Sequence, residues 1–157
     1  MEGSVSRNIY FLESGFVRGY KLRGKTERTS WIMKAGDIFV SVRSFFKQLP
    51  SREFIEALED CVVYSISFEQ YKHILKHWPD FNYHRAEILL KYYLDADDRE
   101  EMRQQEGAFE KFCYLLKHQP ELVEKVTDTI LASYLSITTK TYHNVKDEYR
   151  NGRRMED

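Results

Sequence analysis

Two hydrophobic periods divide the chain. Up to about residue 67 the apolar positions come in short runs: NIYFL (8–12), FVRGYKL (16–22), TSWIM (29–33), DIFVSV (37–42) and CVVYSIS (61–67). Each is rich in β-branched and aromatic residues, and Gly15, Gly24 and Gly36 fall between them. Short runs of this composition, repeating every 8 to 12 residues or so between turn signals, predict the strands of a barrel or sandwich. LRGKTE reads as a hairpin turn with Gly24 at its tip. RSFFKQLPS breaks the rhythm; it is too long for a tight turn and predicts a short helix closed off by Pro50.

From Phe68 the period changes to that of a helix. FEQYKHILKHWP carries apolar residues at helical spacing and stops at Pro79. The next segment, from Asp80 to Gln105, predicts one helix of about seven turns, with Asp80 as N-cap. Phe81, Ile88, Leu89, Tyr92 and Tyr93 form an apolar stripe along it. Such a stripe packs either on the chain's own sheet or on a partner helix. A helix this long outruns a small β-domain, which favours a second copy as the partner. Six carboxylates between Asp95 and Glu106, against Arg99 and Arg103, read as a solvated face leaving one domain for the next. Another amphipathic helix follows Gly107. The expected organisation is a β-domain over 1–78, a long connecting helix over 79–106 and a small helical domain over 107–157, an α+β fold.

Within the last domain, TILASYLSITTKTYHNVK (129–146) meets the demands of two helices crossing at a sharp turn. Ala132 allows close approach. Ile130, Leu131 and Leu135 anchor the first helix, Ile137 plugs the turn, and Thr138 or Thr139 caps the second helix. Tyr142 and Val145, three apart, face inward. Thr139, Lys140, His143, Asn144 and Asp147 are then left outward, with chemistry suited to base edges or phosphates. Five Lys/Arg and two acids lie between Thr139 and Arg154. The spacing alone fits a DNA-reading helix-turn-helix and a structural helical hairpin equally well.

Bulk properties narrow the function. Formal net charge is −1 over 157 residues, so any nucleic-acid contact must come from a local patch. The two cysteines, Cys61 and Cys113, lack metal-ligand or disulfide-framework spacing. No apolar run is long enough to cross a membrane and no charged-then-apolar leader opens the chain, which predicts a soluble, cytoplasmic protein. The histidines at 73, 77, 84, 118 and 143 lie mostly among Lys and Tyr. His73 and His77 are four apart but lack a third ligand, so neither a metal site nor a catalytic centre is expected.

NIYFLESGFVRGYK, GDIFV, PSREFIEALEDC, SISFEQYKHIL and ILASYLSIT, in this order, resemble the Crp/Fnr family of bacterial transcription regulators, and most of all its Bacteroidetes branch. The resemblance runs from Gly3 to about Lys146. It implies a β-roll (jelly-roll-like) sensor domain of the cyclic-nucleotide-binding type, a long dimerisation helix and a C-terminal helix-turn-helix domain with a small wing. It also implies a homodimer on double-stranded operator DNA, with no cofactor. The chain looks N-terminally shortened against the family, as though it begins inside the roll.

Carried onto this sequence, the resemblance gives Thr139, Lys140, Thr141, His143, Asn144 and Lys146 as DNA-binding residues. Asn144 stands where the family often has a base-reading Arg, and His143 and Lys146 become phosphate contacts. Phe81, Ile88, Leu89 and Tyr92 become the dimer seam. Gly36, Asp37, Ser51 and Arg52 mark the effector pocket. There, Val40 and Ser41 replace the Gly-Glu pair that cyclic-nucleotide binders use, and Glu53 follows Arg52, suggesting a structural ion pair between them. Cyclic AMP binding is therefore not expected, and a small anionic effector at Ser51 and Arg52 stays open. No cysteine cluster is present for the iron–sulfur branch. Ser136 occupies a turn position where the family often has Gly. RNGRR (150–154) is left as a hairpin remnant of the wing or a basic tail. The altered turn, the missing Arg and the short wing leave a second reading, an effector-sensing or scaffold protein of this fold that has lost specific DNA binding.

Overall fold

The structure, a computed structural model, describes residues 2–153. The chain forms two compact units, Met1–Leu89 and Leu90–Asp157, each considered by itself below.

The first unit is a β-roll of two three-stranded sheets. One sheet has the order β4 (Ile38–Phe39), β1 (Asn8–Ser14), β6 (Val62–Ser67); the other has β3 (Thr26–Lys34), β2 (Phe16–Arg23), β5 (Phe54–Ala57). All pairings are antiparallel. β2 and β3 form the expected hairpin. Arg23 pairs with Thr26, and Gly24 supplies the positive φ (63°) that a two-residue loop demands at its first position. Gly19 is needed for space instead, since a Cβ there would overlap the Trp31 ring, which lies across β2. Leu12, Val17, Ile32, Met33, Phe39, Val40 and Phe45 are buried.

Three details differ from the sequence reading. DIFVSV is strand only at Ile38–Phe39, because Ser41 turns inward and Val42 already starts α1 (Val42–Lys47). That helix is the one expected in RSFFKQLPS; it ends at Gln48, whose φ is +52°. β5 comes from FIEA, a run too short and too evenly mixed in polarity to read as a strand without its partner β2. Arg18, inside the apolar run FVRGYKL, is a buried cation. Its guanidinium donates to Glu56 (Nε–Oε2 2.7 Å) and Glu27 (Nη2–Oε2 2.5 Å), and lies 4.3 Å from the Tyr20 ring centroid. Two carboxylates and an aromatic face stabilise a charge that burial alone would penalise.

α2 (Phe68–His77) opens on a capping box: Ser67 Oγ accepts from the Gln70 N–H (3.1 Å) and Gln70 Oε1 accepts from the Ser67 N–H (2.7 Å). α3 (Phe81–Gln104) is a single helix of 24 residues. Phe81 packs on the roll's cluster of Val40, Phe45 and Tyr71. Ile88 and Tyr92 are half-buried, whereas Tyr83, Leu89, Leu90, Tyr93 and Leu94 are exposed.

The second unit packs α4 (Ala108–His118), α5 (Pro120–Lys125), α6 (Asp128–Tyr134) and α7 (Thr139–Arg153) around one core. Gly107 sits at the N-cap position of α4 and Pro120 occupies the first turn of α5, where its missing N–H costs nothing. Phe112, Leu115, Leu122, Leu131, Ala132, Tyr134, Leu135 and Tyr142 fill the interior. α7 runs on through RNGR, so Arg150–Arg153 form neither a hairpin nor a loose tail; Arg154 lies outside the described residues.

Candidate nucleic-acid interface

The α6–α7 junction is built by backbone geometry. α6 ends in a Schellman motif: the Ile137 N–H donates to the Ala132 carbonyl (3.0 Å) and the Ser136 N–H to the Ser133 carbonyl (3.2 Å). Ser136 accordingly takes a left-handed conformation, φ +59°. Only glycine enters that region without steric cost, so the serine holds it at some expense. Two residues on, Thr138 caps α7: its Oγ1 accepts from the Thr141 N–H at 3.0 Å and lies 2.8 Å from the Thr141 hydroxyl.

Packing then fixes which face of α7 is outward. Tyr142 is fully buried, edge-on to Phe112 (centroids 5.5 Å apart), and Val145 is buried one turn on. Burial, reinforced by the Asp128 carboxylate, pushes the Tyr142 phenol well above its ordinary range. Its hydroxyl has no hydrogen-bond partner among the described residues. Lys140, His143, Asn144, Asp147 and Glu148 are exposed, while Thr139 and Thr141 are half-buried at the start of the helix.

Lys146 is placed differently from its neighbours. Its ammonium lies 2.6 Å from Asp128 Oδ1 on α6 and its side chain is 19% exposed. His143 Nε2 approaches the other oxygen of the same carboxylate at 3.3 Å. Sequence spacing does not reveal Asp128, because nothing along the chain links it to positions 143 and 146; only the fold of α7 back over α6 does so. The one signal is an acid in the first turn of α6, which suits the helix dipole and needs no further cause.

The effector-pocket residues lie in the first unit. Gly36 has a positive φ (91°) at the turn into β4, and the Asp37 carboxylate accepts from the Lys34 N–H (3.0 Å), closing that turn. Ser51 is buried. Its hydroxyl lies 3.0 Å from that of Ser41, which is buried too, and donates to the Glu53 carbonyl (2.8 Å). Arg52 is exposed. Glu53 accepts from the Trp31 indole N–H (3.2 Å), so the bond seen at this carboxylate comes from an aromatic donor on β3 rather than from Arg52. The heart of this region is thus a chain of neutral hydroxyls, Ser41 donating to Ser51 and Ser51 to the Glu53 carbonyl.

Elsewhere, the His73 and His77 rings lie tilted with centroids 4.1 Å apart on the exposed side of α2, and His77 Nδ1 meets the His73 carbonyl at 2.9 Å. No group of three or more metal-ligating side chains occurs among the described residues. No helix among them is long and apolar enough to cross a membrane.

Residues 1–77 match the model of the cyclic nucleotide-binding domain family. Over nearly the whole chain the structure matches solved regulators. FixK2 from Bradyrhizobium japonicum superposes with a TM-score of 0.80 at 17% identity, covering 96% of this chain and 78% of that one. The fold is that of Crp/Fnr-type regulators. TTHB099, a CRP-family transcriptional regulator from Thermus thermophilus, gives 0.74 at 17% identity, over 97% and 80% of the two chains. A regulator assigned to the Crp/Fnr family from Eubacterium rectale gives 0.71 at 18%, over 97% and 72%. No curated protein matches the sequence.

Proposed function

We propose that the protein is a Crp/Fnr-type transcription regulator that binds double-stranded DNA as a homodimer. The observation that carries this reading is the α6–α7 junction. A Schellman turn and a threonine cap set α7 on buried Tyr142 and Val145, and that registration turns Lys140, His143 and Asn144 outward together. Thr139 and Thr141 complete the leading edge of the helix. Asn144 offers the bidentate amide that matches adenine, and Lys140 a phosphate or guanine contact. In the same reading α3 supplies the dimer seam. Leu89, Leu90, Tyr93 and Leu94 are exposed along it, flanking the half-buried Ile88 and Tyr92, and a run of such size on one helix calls for a partner surface.

The roll in this reading does not bind cyclic AMP. Ser41 stands where a ribose-binding carboxylate is needed, and its hydroxyl is engaged with Ser51 inside the roll. Arg52, exposed at the rim beside them, is left as the cation available to a different anionic effector.

Gel shifts on mixed-sequence duplex DNA at two salt concentrations test the regulator reading. Binding that weakens steeply with salt is expected, and Lys140→Ala with Asn144→Ala should abolish preference among sequences. If those two changes leave sequence preference intact, α7 is not the reading helix.

A further inference from the structure

The chain carries its own carboxylate at the surface proposed above to meet DNA. Asp128 opens α6, and both of its oxygens are engaged from α7: Oδ1 by the Lys146 ammonium at 2.6 Å and Oδ2 by His143 Nε2 at 3.3 Å. Asp128 is only 30% exposed and Lys146 only 19%, so the pair is shielded from solvent and salt on most sides. The Lys146 Nζ also lies over the Tyr142 ring, 5.6 Å from its centroid. Other charges on the helix lie further out: Lys140 is exposed near its start, and Asp147 and Arg150 face one another at 4.0 Å on its exposed side.

We infer that Asp128 acts as an internal stand-in for a DNA phosphate, holding Lys146 and His143 against α6 so that neither side chain counts toward phosphate contact. The inference rests on the DNA-binding reading of α7. It assigns Asp128 two consequences. It pins α7 to α6 at two points one helical turn apart, fixing the angle at which Lys140 and Asn144 are presented. It also weakens sequence-independent binding, because a cation already paired releases no counterion from DNA when the complex forms. Asp128 is therefore a positioning residue that raises specificity at the cost of bulk affinity.

The salt dependence of binding separates this role from a merely structural one. Affinity for a mixed-sequence duplex long enough to hold two half-sites would be measured across a salt series at pH 8, where an ordinary histidine is neutral. Wild type, Asp128→Asn, Lys146→Met and the double variant would be compared, each checked for folding by circular dichroism. Freeing Lys146 in both copies of the dimer in Asp128→Asn should steepen the log–log salt slope by about 1.8, the value for two added phosphate contacts, and tighten binding at low salt. Lys146→Met alone should leave the slope at the wild-type value, and the double variant should return to it.

A Lys146→Met slope flatter by about 1.8 would mean that Lys146 of both copies already touches phosphate in the wild type, and would overturn the inference. An unchanged slope in a folded Asp128→Asn would overturn it as well. A wild-type chain that binds no duplex even at low salt overturns the regulator reading, and this inference with it.

Discussion

Replacing Ser136 by glycine should stabilise the protein. Ser136 sits at φ +59°, the left-handed turn position that closes α6. An L-residue there carries a steric cost of roughly 1–2 kcal/mol, which glycine removes. Against this, glycine's freer unfolded chain costs about 0.4–1 kcal/mol. The serine is exposed, so no buried packing is lost. The Schellman bonds run through the backbone N–H groups of Ser136 and Ile137, which the substitution keeps. The net expectation is a gain of about 0.5–1 kcal/mol. For cooperative melting of a chain this size that corresponds to an increase of about 1–4 °C. Ser136→Val should move the other way, since a β-branched residue is a true outlier at positive φ. Thermal melts followed by circular dichroism give both numbers. A glycine variant that melts lower than wild type, or a valine variant that melts with it, would show that the left-handed turn does not set the α6–α7 geometry.

Three further outcomes follow from the same structure. Tyr142→Phe keeps the edge-on contact with Phe112 and removes a buried hydroxyl lacking a partner among the described residues, so stability at neutral pH should be unchanged or higher by about 1 kcal/mol. Because the folded-state phenol is raised above its ordinary value of 10.0, wild-type stability should be fully present below about pH 10 and fall as pH rises beyond it. Tyr142→Phe should shrink that fall, and urea titrations at pH 8 and 11 check both points. On α3, Leu90→Asp together with Tyr93→Asp adds charge where the helix is already exposed, so the fold should persist while self-association is lost. Sedimentation velocity decides it, and an unchanged dimer would move the seam elsewhere. Isothermal titration with cyclic AMP should give no heat; a micromolar signal would contradict the role given to Ser41 and Ser51.

Local chemistry made much of this fold legible. Gly24 between two alternating runs marks a hairpin, Pro79 and Pro120 mark helix borders, and the order Ala132, Ser136, Ile137, Thr138 describes a turn that the backbone bonds then display. What stays hidden depends on pairing across the chain. FIEA is a strand because β2 lies beside it, and Arg18 is an interior cation because two glutamates from neighbouring strands reach it. The apolar positions of α3 look like one stripe in the sequence. In the structure Phe81 packs on the roll's own core, Ile88 and Tyr92 are half-buried, and Leu89 and Tyr93 are exposed together with Tyr83, Leu90 and Leu94, a division that helical spacing alone cannot make. Lys146 and Asp128 are the same case at the candidate site. Sequence spacing puts a lysine on α7, and only the crossing of α6 and α7 shows what its ammonium meets.

The most direct test is selection from a random duplex library, followed by measurement of the mass of the selected complex. Two copies of the chain on an inverted repeat, with half-site centres about 34 Å or one helical turn apart, is the predicted result. A single copy on an unrepeated site, or no enrichment of any sequence, would contradict it.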